Sequence, residues 1–140
     1  MKNNMEMDYP MFCYPCEQTA GGKGCTKLGV CGKTPEIAAL QDLLIYQIKG
    51  ISFYANQVIE KGVFYKEIVI FIENALFTTL TNVNFDADVH VGMLKQSQKI
   101  KELLRSKAKT TESDTDHAKY NLSETKAQML KKPELCMINN

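Results

Sequence analysis

The run "TPEIAALQDLLIYQIKGISFYANQVIEKG", Thr34 to Gly62, decides the fold class. Ile37, Leu40, Leu44, Ile48, Ile51, Ala55 and Val58 recur at steps of three and four, which places them along one face of a single long helix. Its start is marked by Thr34 as N-cap, Pro35 at the first helical position and Glu36 facing the positive end of the dipole. Its end falls near Lys61 and Gly62, a glycine suited to a left-handed stop. Gly50 within it costs about 1 kcal/mol relative to alanine and is suited to close helix packing.

Downstream, a second pattern runs from about Phe64 to Leu80, with Tyr65, Ile68, Ile72, Leu76 and Thr79 on one stripe and Val69 and Leu80 widening it. It is β-branched enough to resemble a strand locally, but its length and period predict a helix. After the turn "TNVNFD", Asp86 caps a third segment with a thinner stripe of Val89, Met93, Ile100, Leu103 and Leu104. The expected architecture is all-α: a three-helix bundle over residues 34–108, with short connections. From Lys109 the chain reads "KTTESDTDHAKYNLSETKAQMLKKPELCMINN". This is a polar tail, or the start of a further helical region, over 109–140, with a short helix conceivable from Ser123 to Lys131.

Upstream, after an N-terminal extension (residues 1–10), lies "MFCYPCEQTAGGKGCTKLGVCGK", Met11 to Lys33. Four of the five cysteines fall here, in the spacing C-x2-C-x8-C-x5-C. At 140 residues the chain suits one compact domain, and its 44% apolar fraction, 24% charged fraction and net charge of +1 give no basis for a nucleic-acid or membrane-surface partner. "MKNNMEMDYP" is not a secretory signal, and "IVIFI" (Ile68 to Ile72) is far shorter than the ~20 residues of a membrane span. The expected location is cytoplasmic, where thiols stay reduced, so clustered cysteines point to metal or redox chemistry.

Cys13, Cys16, Cys25 and Cys31 can satisfy either a tetrahedral zinc or an iron-sulfur cluster. Glycines among them permit turns that aim backbone N–H groups at sulfur, one of the levers on a cluster's potential. Zinc ribbons usually present two C-x2-C knuckles, whereas here the second pair is C-x5-C and runs straight into a helix, which favours a cluster and leaves zinc open.

The stretch "MFCYPCEQTAGGKGCTKLGVCGKTPEIAALQDLLIYQIKGISFYA", together with "LFTTLTNVNFD" from Leu76 to Asp86, resembles the N-terminal region of the hybrid-cluster proteins, also called prismane proteins or hydroxylamine reductases. The resemblance implies that Cys13, Cys16, Cys25 and Cys31 ligate a proximal 4Fe-4S cluster of the strict-anaerobe type. It implies a relay role: one electron enters from an electron-donor redox protein and passes to a hybrid iron-sulfur-oxygen cluster, which reduces hydroxylamine to ammonia or, in another account, nitric oxide to nitrous oxide. Members of that family are several times longer, and their two α/β domains supply the hybrid cluster's ligands. No catalytic residue is therefore assigned within this chain, which reads as an N-terminal fragment or truncated frame. The alternatives are a zinc-stapled interaction module or a remnant that assembles no metal. A helical domain without its α/β partners is also expected to expose apolar surface and to self-associate.

Several other residues invite a role. Phe12 and Tyr14 are candidates for shielding a cluster, or ordinary loop packing; Glu17, Gln18 and Lys23 are candidates for tuning its potential, or a solvated loop. Cys136 reads as an unpaired thiol, and His90 and His117 as solvent-facing or capping residues.

Overall fold

A computed structural model describes residues 11–80, 82–108, 115–123 and 125–130. The N-terminal extension and Cys136 lie outside these residues. The chain is all-α: α1 (Pro35–Glu60), α2 (Lys66–Thr78), α3 (Ala87–Lys107), α4 (Asp116–Lys119) and α5 (Lys126–Met129), preceded by a loop with one 3-10 turn at Ala20–Gly22.

Helix α1 begins where its caps predict, with the Thr34 hydroxyl accepting from the Ile37 N–H at 3.3 Å. At its other end Gly62 takes φ 81°. There the Gly62 and Val63 N–H groups reach the Ile59 and Val58 carbonyls at 2.8 and 3.2 Å, satisfying the last turn. Leu40, Leu44, Ile51 and Tyr54 are fully buried, and each such aliphatic side chain contributes about 1.5–3 kcal/mol relative to exposure. α1 is the hub against which the other helices pack.

α3 runs beside α1 in the same direction: Gln41 meets His90 at one end, and the Lys61 ammonium donates to the Lys107 carbonyl at the other. α2, which connects them, packs on α1 over a smaller area. It buries Ile68, Phe71, Ala75 and Thr78, so its inward face is rotated from the predicted stripe, and Leu76 and Leu80 face outward. On α3 the departure is larger. The buried positions are His90, Leu94, Ser97, Lys101 and Leu104, while Val89 and Leu103 are exposed. His90, expected at the surface or in a cap, is fully buried. Its Nδ1 lies 2.6 Å from the Asp86 carbonyl and so donates to it, leaving Nε2 to accept from Gln41 Nε2 at 3.2 Å.

The described parts of the polar segment beyond α3, residues 115–123 and 125–130, are docked on the helices. Ala118, Met129 and Leu130 are buried in the core. The Lys101 ammonium donates to Gln47 Oε1 at 2.5 Å, to the His117 carbonyl at 3.3 Å and to the Tyr120 carbonyl. His117 is half-buried beside Tyr46, with its Nδ1 2.9 Å from the Thr115 hydroxyl. Gly50 explains the close fit: a Cβ there would lie 2.4 Å from the His117 carbonyl oxygen.

Candidate metal centre

The loop ahead of α1 is folded by its own backbone. Cys13 and Cys25 form an antiparallel bridge, exchanging N–H···O bonds of 3.0 and 2.9 Å, so residues twelve apart in sequence lie side by side. The 3-10 turn between them presents the Ala20 N–H to Cys25 Sγ at 3.4 Å. A second turn is closed by the Gly32 N–H on the Gly29 carbonyl and by the Gly29 N–H on the Lys33 carbonyl, each 2.8 Å, and carries Cys31. Gly29 is tightly fitted: a Cβ would stand 3.0 Å from Lys33 Cβ and 3.2 Å from Cys31 Sγ, so its neighbours would have to give way by a few tenths of an ångström. Met11, Cys25 and Ala38 form a small apolar cluster that seats the loop on α1.

These turns bring Cys13, Cys16, Cys25 and Cys31 around one cavity of about 220 Å³, together with Gln18, Lys33 and Asn82. All four thiols are free; Cys25 is buried and the others half-buried. Among the described residues no group of three or more His, Cys, Asp or Glu side chains is gathered as for a single metal ion. Four cysteine thiolates are a donor set used both by a tetrahedral metal ion and by an iron-sulfur cluster.

Electrostatics differ from sulfur to sulfur. Burial pushes the Cys13 thiol up, opposed by the Lys33 ammonium, which donates to Cys13 Sγ at 3.7 Å. The Cys25 thiol is lowered by N–H groups of Ala20 and Val30. Asp42 on α1 is pushed up to about 7 by burial, with Lys33 acting in the opposite direction.

The three polar side chains expected near the sulfurs are all exposed, and Gln18 also borders the cavity, whereas Glu17 and Lys23 do not line it. Phe12 and Tyr14, their ring planes 3° apart, line an adjoining cavity of about 200 Å³ that shares Cys13 and Lys33 with the first. Lys33 and Asn82 were not singled out by sequence. Lys33 is the last residue before the α1 cap, a place where lysine is ordinarily solvated. Asn82 arrives from the α2–α3 turn, where it takes φ 59°, and the only hint was that "LFTTLTNVNFD" forms part of the resemblance. That turn is held by Gln41 Nε2, whose second hydrogen faces the Thr78 and Asn84 carbonyls, 3.4 and 3.3 Å away, while the first goes to His90.

Over 120 residues the chain is 46% identical to a hydroxylamine reductase of Syntrophobacter fumaroxidans, covering 86% of this chain and 22% of that protein. A hydroxylamine reductase of Halothermothrix orenii is 48% identical over 97 residues, which make up 69% of this chain and 18% of the relative. One from Moorella thermoacetica is 57% identical over 81 residues, 58% of this chain and 19% of the relative. The chain thus spans about a fifth of the length of the curated relatives it matches. The family described as Prismane/CO dehydrogenase matches residues 11–137, which takes in the cysteine loop, the three long helices and the docked segment after them. By that match the chain belongs to the Prismane/CO dehydrogenase family.

Proposed function

We propose that this chain is the proximal electron-relay part of a hydroxylamine reductase, with Cys13, Cys16, Cys25 and Cys31 as the thiolate ligands of a 4Fe-4S cluster. The observation that carries the reading is the single cavity walled by four free thiols, with N–H donors from Ala20 and Lys33 directed at two of them. When bound, such a cluster stores and releases one electron. The residues of the chain hold the thiolates in register, direct N–H dipoles at sulfur and seat the loop on α1. Reduction of hydroxylamine to ammonia and water consumes two electrons and two protons. We assign that chemistry to the portion of the relatives that this chain does not span, where α/β domains hold a hybrid iron-sulfur-oxygen cluster. The partners on this reading are an electron-donor redox protein and those catalytic domains, and the setting is the cytoplasm. Among the described residues no helix is long and apolar enough to cross a membrane.

The test is Cys25→Ser in the full chain, reconstituted with iron and sulfide without oxygen. The variant is expected to lose the reduced-state electron paramagnetic resonance signal of a correctly assembled centre while keeping its helical circular dichroism. An unchanged signal removes Cys25 from the ligand set.

A further inference from the structure

Lys33 is only 2% exposed, and a buried ammonium is retained only where something compensates for its lost hydration. The contrast with the other buried lysine is informative. Lys101 directs its N–H groups at neutral oxygens, those of Gln47, His117 and Tyr120. The Lys33 ammonium instead donates to Cys13 Sγ, one of the proposed ligands, and interacts electrostatically with Asp42 on α1. It lines both the cysteine cavity and the adjoining one, as Cys13 does.

The backbone holds it there. The Lys33 carbonyl accepts from Gly29 N–H, a Cβ on Gly29 would crowd Lys33 and Cys31, and the following residue, Thr34, is the cap of α1. A flexible surface lysine needs none of this. A fixed cation at a thiolate sulfur lowers the energy of added negative charge far more in a buried site than in water.

We propose that Lys33 is a positioning residue of the cysteine site that raises its reduction potential, by placing a buried positive charge on the Cys13 thiolate. This rests on the cluster reading given above. One electron from a reduced one-electron carrier adds one unit of negative charge over the thiolate-bound centre; no bond is made or broken and no proton moves. The ammonium favours the reduced state through its charge. The effect differs from that of the Ala20 N–H on Cys25 Sγ, which supplies only a dipole.

The experiment is a spectroelectrochemical titration of the full chain, reconstituted anaerobically, comparing wild type with Lys33→Met, Lys33→Gln, Lys33→Arg and the exposed control Lys23→Met. Lys33→Met and Lys33→Gln should each lower the midpoint potential by an amount equal to at least a tenfold change in the one-electron equilibrium, 59 mV. Lys33→Arg and Lys23→Met should stay within about threefold of wild type. If both neutral variants fail to assemble iron while Lys33→Arg assembles it, the requirement for charge is supported at the assembly step. A Lys33→Met chain with four irons and a midpoint within about threefold of wild type overturns the proposal, as does equal loss of iron from all three Lys33 variants, which assigns the site to packing. A wild-type chain without iron refutes the cluster reading itself, and the role of Lys33 falls with it; normal iron in wild type with unshifted variants refutes only Lys33.

Discussion

Lys101 carries its positive charge into the interior, where the Gln47 side chain and the His117 and Tyr120 carbonyls take up its N–H donors and the Tyr120 ring lies 5.4 Å away. Burial, and after it the Arg105 guanidinium, push its pKa down to about 8, with Glu102 opposing. In the unfolded chain a lysine titrates near 10.4. Between pH 8 and that value the unfolded state therefore binds more protons than the folded one, and stability rises with pH across this window. Urea unfolding at pH 7.5 and pH 10 should show that rise in wild type relative to Lys101→Met, which lacks the group. Equal pH dependence in the two proteins would show that Lys101 keeps its charge to higher pH. Lysine 33 teaches the complementary lesson at this scale. Its role was hidden in the sequence because nothing in "CGKT" distinguishes a buried ammonium from a solvated one; the buried lysine sits in a turn where its carbonyl accepts from the Gly29 N–H, which only the folded loop reveals.

Among the elements, α1 was legible because its caps, its stop and its apolar period all agree, and local signals suffice when they coincide. α3 was not. A reading based on apolar residues selects Val89 and Leu103, yet the buried face carries His90, Ser97 and Lys101. Their burial is made tolerable by partners distant in sequence, Gln41 for His90 and Gln47 for Lys101, while Ser97 donates to the Leu94 carbonyl at 2.6 Å. The same long-range logic docks the polar segment, whose composition alone favours disorder. Gly50→Ala tests the docking. On an isolated helix this change is worth about 1 kcal/mol of stabilisation. Here the added methyl collides with the His117 carbonyl oxygen, a backbone atom, so a net loss of about 1–3 kcal/mol is expected in urea unfolding. A gain in stability would mean that the segment carrying α4 leaves α1 at little cost.

For the whole molecule, the four cysteines could be picked out as a set from spacing, but not the shape of the cavity they enclose, which depends on the Cys13–Cys25 bridge and on Asn82 arriving from the α2–α3 turn. Around that site much apolar surface remains open. Phe64 and Phe77 are 65% and 61% exposed, with Ile70, Leu76 and Leu80 also outward on or beside α2. A stretch of this kind marks an interaction surface. The chain on its own is expected to bind an apolar dye and to self-associate in sedimentation; a monomer that leaves the dye dark would show that α2 needs no cover. The central claim concerns the cysteines, and the most direct measurement is the visible spectrum of the anaerobically purified chain before and after dithionite, with iron, sulfide and zinc quantified on the same sample. The account predicts a broad brown absorption that bleaches on reduction, with about four irons per chain. A colourless chain, whether it holds one zinc or no metal, would contradict it.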